Sequence, residues 1–120
     1  MTPSNYRSLL VWQKARELAG LVYRETARFP RVEMFGLVQQ MRRAAVSILS
    51  NIAEGQGRHS RRDCAHFLIM ARGSAMELEA QIVISADLEY LAAVRSEPLE
   101  ARAIEVTRML NGMLRHFTKR

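Results

Sequence analysis

The chain has 120 residues, of which 48% are apolar and 25% charged, with a formal net charge of +6. One domain of ordinary size fits that length, and the apolar share excludes a disordered chain. Six Gly, three Pro and a lone cysteine exclude a turn-dense β fold and an intrachain disulfide.

There is no 18-residue uncharged apolar run, so the sequence predicts no membrane contact and no transmembrane helix. The N-terminus lacks the uninterrupted apolar core of a signal peptide. A cytoplasmic protein is expected. Sixteen of the 18 basic residues are Arg, and they are unevenly placed: residues 73–94 carry four acidic groups and no basic one. A basic chain with one acidic segment suits an anionic partner, most commonly RNA or DNA. Solubility and ion pairing between subunits are the other explanation.

Residues 1–6 read as a lead-in. The first helix is expected over 7–29, with Val11, Ala15, Leu18 and Val22 as its seam and Trp12 as an anchor in the apolar arc. Arg24, Arg28 and Arg31 sit about a turn apart at its end. They suit the negative end of the helix dipole, or they begin a basic patch. Pro30 stops the helix.

A second helix is expected over 34–55. Met34, Val38, Met41, Ala45, Ile48 and Ile52 recur at steps of three and four, which marks a core-facing seam. Gln40, Arg43, Ser47, Asn51 and Glu54 repeat those steps on another side. Short amides and hydroxyls are poor helix formers. This stripe is either solvated surface or a close polar contact with another helix or subunit. Gly55 and Gly57 end the helix.

Ser60 with Asp63 reads as the cap of a third helix, expected over 61–93. Cys64, Phe67, Leu68, Ala71, Ala75, Leu78 and Ile82 form its seam. Ile69, Met76 and Val83 recur at seven-residue spacing on a second side, with Ala80 beside them. A helix apolar on two sides in a four-helix domain predicts a subunit interface there; scattered exposed apolar residues are the alternative. Gly73 sits mid-helix, where the expected compensation is close approach of another backbone. The fourth helix is expected over 97–118, with Ser96 as its cap and Pro98 in its first turn. Its end, from His116, is basic. Residues 1–120 therefore predict a single all-α domain, an antiparallel up-down-up-down four-helix bundle.

Catalytic signatures are missing. His59, His66 and His116 lack the neighbours of a helical metal site, and Glu-x-x-His pairs are absent. Walker, GxGxxG and GxSxG loops are absent too. Cys64 reads as a buried inert thiol, and Glu54, Glu77 and Glu79 as structural partners of Arg rather than acid/base groups. The expectation is a protein that is not an enzyme, with no cofactor, no metal and no catalytic residue. Arg24, Arg28, Arg31, Arg42, Arg43, Arg58, Arg61 and Arg62 are the candidates to line phosphates, because guanidinium forks match phosphate oxygens. Ser47, Asn51, Glu54, Ile69, Gly73, Met76, Glu77 and Val83 are the candidates for a subunit interface. A protein–protein adaptor without a nucleic-acid role is the alternative function.

Several strings are distinctive: Val11-Trp12-Gln13-Lys14-Ala15, Arg42-Arg43-Ala44-Ala45, Ser50-Asn51-Ile52-Ala53-Glu54-Gly55, and Gly73-Ser74 leading to Glu77-Leu78-Glu79. They resemble the bacterial four-helix bundle proteins encoded in intervening sequences of large-subunit ribosomal RNA genes. The accessory variability proteins of diversity-generating retroelements are related to that family. The resemblance covers about residues 8–93. It implies a ring-like homopentamer and no known enzymatic activity. For the retroelement branch it implies a basic surface that binds nucleic acid and docks a reverse transcriptase.

Overall fold

The computed structural model describes residues 5–118. The expected lead-in falls partly outside them, at residues 1–4, as do Lys119 and Arg120 of the basic end. Four α-helices make up the described residues, with no strand: α1 Leu10–Thr26, α2 Leu37–Gln56, α3 Arg61–Asp87 and α4 Ala93–Thr118. None of them is long and apolar enough to cross a membrane.

Each helix buries one stripe. Val11, Ala15, Leu18 and Val22 of α1 meet Met41, Ala45, Ile48 and Ile52 of α2. Leu68, Ala71, Ala75, Leu78 and Ile82 of α3 and Leu99, Ala103, Val106 and Leu110 of α4 complete the core. The alternation of Ala with Leu and Ile lets facing turns interdigitate. The helix backbones neighbour one another α1 to α2, α2 to α3, α3 to α4 and α4 to α1, while no Cα atom of α1 comes within 8 Å of one in α3. Those two helices therefore lie across the bundle from each other, and each turns a whole side outward.

The helix ends differ from the sequence expectation, each for a tertiary reason. α1 stops at Thr26 instead of 29, because Phe29 turns into the core and Pro30 follows. α2 starts at Leu37, not 34. A 3-10 turn over Arg31–Glu33 precedes it, Gly36 is non-helical, and the Leu37 amide donates to Glu33 Oε1 at 3.1 Å. Met34 thereby leaves the core seam and is 52% exposed.

α3 ends at Asp87, not 93, since Glu89 takes a left-handed φ of 64° and the Tyr90 amide returns to the Ser85 carbonyl at 2.9 Å. α4 already begins at Ala93, where the Arg95 and Ser96 amides close on the Ala92 carbonyl, both at 2.8 Å. Ser96 is thus a buried residue inside the helix and not its cap, and Pro98 lies one turn in. Ser60 does cap α3, its hydroxyl accepting from the Asp63 amide at 2.9 Å.

Candidate nucleic-acid interface

Steps of three and four carry Gln13, Arg16, Gly20 and Arg24 along one side of α1, opposite its core stripe. Arg7 joins them from the 3-10 turn Tyr6–Ser8, fixed there because Gln13 Nε2 donates to the Arg7 carbonyl at 3.0 Å. Together with Glu17 these residues line an open groove of about 480 Å³. Gly20 is its floor. A Cβ there would make an ordinary contact, 3.5 Å, with Arg24 Nη1, whose guanidinium folds back over the helix.

The Arg16 guanidinium sits 5.6 Å from the Trp12 ring centre. Trp12 in turn meets the Tyr6 ring edge-on at 5.0 Å. The one carboxylate in the lining, Glu17, is held by Arg102 of α4 at 2.9 Å. The groove therefore presents Arg7, Arg16 and Arg24 with its single acid already paired. Such a lining attracts anions, and guanidiniums on successive turns suit phosphates in a row.

The Arg residues expected to line phosphates do not form one surface. Arg24 is in the groove, and Arg28 and Arg31 are exposed just beyond α1. Arg42 is a clamp on the end of α1: Nε donates to Thr26 Oγ1 at 2.9 Å, Nη2 to the Tyr23 carbonyl at 3.2 Å, and the guanidinium stacks on the Tyr23 ring at 4.6 Å. Arg58 pairs with Glu54 at 2.6 Å and covers Phe67. Arg61 donates to the His116 carbonyl at 3.0 Å and stacks on Phe117, tying α3 to α4. Arg62 is exposed beside it, and Arg43 lines a separate groove on α2. Arg7 and Arg16 were not among the candidates. The spacing from Gln13 to Arg24 was the signal for Arg16; Arg7 had none, because its place depends on the 3-10 turn.

The candidate interface residues divide likewise. Ser47 shares a 2.8 Å hydrogen bond with Ser74 of the same chain, and Asn51 Nδ2 donates to the Ser47 carbonyl at 2.9 Å. The polar stripe of α2 thus meets α3 at Ser47, with Asn51 bonded back to Ser47. Ile69, Gly73, Met76, Glu77 and Val83 face outward, and nothing lies within 4 Å of a Cβ placed on Gly73.

Cys64 is half-buried, and desolvation pushes its thiol above the ordinary range, which disfavours the nucleophilic thiolate. Tyr90 donates to Glu33 Oε2 at 2.9 Å; that hydrogen bond, with desolvation and the carboxylate charge behind it, raises its phenol. Among the described residues no three His, Cys, Asp or Glu gather as metal ligands.

The fold and the groove define an all-α, four-helix protein with a cationic side on α1. The chain belongs to the 23S rRNA-intervening sequence protein family, which matches residues 7–112. Its fold is shared by a crystal structure of a protein of unknown function from the S23 ribosomal protein family of Bacteroides thetaiotaomicron VPI-5482. The TM-score is 0.80 at 24% identity, covering 88% of this chain and 98% of that one. No curated protein matches the chain.

Proposed function

We propose that this protein is a non-enzymatic, oligomeric accessory factor that binds RNA or DNA through phosphates. The α1 groove carries the reading: three guanidiniums line it, and its one carboxylate is neutralised by Arg102. Guanidiniums dominate the lining, so affinity should be chiefly electrostatic and fall with salt. The bundle is read as up-down-up-down. In support, Arg102 and Arg95 of α4 pair with Glu17 and Glu25 of α1 in reversed order, and Gly55 at the end of α2 packs on Cys64 and Phe67 at the start of α3.

The test is binding of labelled structured RNA and of duplex DNA between about 50 and 200 mM salt. Three phosphates on duplex DNA give a logarithmic slope of about −2.7, or roughly 40-fold over that range. Arg16→Glu with Arg24→Glu should reduce the slope to about −0.9 and weaken binding at every salt concentration. Equal binding by wild type and variant would remove α1 from the interface. A second reading, a protein–protein adaptor, is favoured by the apolar outward side of α3, where Met76 is 55% exposed. Absence of binding to either nucleic acid at low salt selects it.

A further inference from the structure

The α1 groove has two unlike flanks. At about 100° per residue, Trp12 and Tyr23 fall within about 20° of each other on one flank, about 16 Å apart along the helix. Arg42 of α2 lies over Tyr23, so this flank faces α2. Tyr6 joins Trp12 there, edge-on at 5.0 Å. The flank toward α4 carries Glu17 and Glu25 instead, held by Arg102 and Arg95. The guanidinium row is therefore bordered by aromatic rings on one side and by carboxylates on the other. The rings are not closed in. Trp12 rests against the core yet is only half-buried, and Tyr6 stands in a 3-10 turn none of whose residues is buried. Tyr23 remains 43% exposed beneath Arg42.

We propose that the α1 groove takes a single-stranded nucleic acid, with phosphates on Arg7, Arg16 and Arg24 and a base stacked on Trp12 beside Tyr6. The proposal rests on the phosphate reading of the same groove and adds the substrate class. Guanidiniums bordered by aromatic rings suit unpaired strands, because every nucleotide brings both a phosphate and a π-face. A duplex keeps its bases stacked on one another, so it reaches the guanidiniums but not the rings. Arg16 makes room for the base. It is exposed, and its 5.6 Å from the Trp12 ring centre is near the outer limit of about 6 Å for a cation–π contact. So weakly held, its guanidinium can leave the ring for a phosphate and yield the ring face. Bases then turn toward α2, where the rings are, and the backbone follows the guanidiniums.

Trp12 is the chain's single tryptophan, so its emission reports the stack directly. The probes are labelled oligothymidylate and oligouridylate of about ten nucleotides, an abasic strand of that length and a duplex of that length, each titrated at low salt. The abasic strand carries the same phosphates and no bases. Strands with bases should quench Trp12 emission and bind about tenfold tighter than the abasic strand, within the range for one stacked base. The tighter of the two identifies the sugar. The duplex should leave the emission nearly unchanged. Trp12→Leu should lower both strands to the abasic affinity without changing the salt dependence, while Trp12→Phe, which keeps a ring, should retain most of the preference. If Trp12→Leu misfolds, Tyr6→Leu replaces it and should reduce the same preference.

Equal affinity for strands with and without bases overturns the proposal, and so does quenching by the duplex as strong as by the single strands. In either case, abasic binding that falls with salt and is lost in Arg16→Glu with Arg24→Glu leaves the phosphate reading standing. Failure of every probe to bind at low salt overturns both.

Discussion

Arg42 and Arg43 are adjacent in sequence and chemically identical, yet they occupy opposite situations. Arg42 satisfies the exposed carbonyl end of α1 through Tyr23 and a Thr26 hydroxyl that itself donates to the Val22 carbonyl at 2.6 Å. Removing it takes away both hydrogen bonds and the stacking on Tyr23. Arg42→Ala should therefore cost about 1–2 kcal/mol of stability, the range for lost hydrogen bonds to a charged donor at a partly exposed site. Arg43→Ala should stay within about 0.5 kcal/mol, as for an ordinary surface substitution. Urea denaturation midpoints of both variants check the difference. Equal effects would mean that the clamp on α1 contributes nothing to stability.

Two glycines show how an element's surroundings reverse the effect of one methyl group. A Cβ on Gly55 would meet Phe67 Cβ at 3.1 Å and the Cys64 carbonyl oxygen at 3.2 Å, so α3 has to move to admit it. Gly55→Ala should destabilise by about 1–2 kcal/mol, the overpacking cost outweighing the gain in helix propensity. Gly73→Ala meets nothing within the chain and should stabilise it by about 0.5–1 kcal/mol. Thermal melts of the two substitutions read the opposite signs. The same contrast marks what was legible in the sequence. Helical periodicity exposed the seams of α2 and α3, because that signal is local. It missed where the helices end, because Phe29, Glu33 and Glu89 act through tertiary packing, a capping carboxylate and a left-handed turn. The basic residues were visible as a type, but not their commitments: the acceptors of Arg42 lie 16 and 19 residues away and that of Arg61 lies 55 away.

At the scale of the whole molecule, 47 Å long and 23 by 20 Å across, α1 and α3 lie on opposite sides. An oligomer assembled through the outward side of α3 would therefore leave the α1 groove of every copy outward. Several grooves held on one body would bind a long polyanion together, the second engagement being effectively intramolecular. Met76→Glu leaves every α1 residue unchanged, yet it should weaken binding to a long RNA or DNA by about 100-fold. Binding to an oligonucleotide too short to span two grooves should be unaffected. Titrations of wild type and variant against both lengths check this; equal losses would tie Met76 to the nucleic-acid contact itself.

Glu33 has one carboxylate and two obligations. Oε1 accepts from the Leu37 amide at the start of α2, and Oε2 accepts from Tyr90 in the turn between α3 and α4, 57 residues further along the chain. The Tyr90 ring also packs against Phe29 at 5.3 Å. The hinge between the first two helices and the hinge between the last two are thus buttoned to each other. Opening one loosens the other, so amide protons in both should exchange with solvent as one cooperative unit, which hydrogen exchange checks.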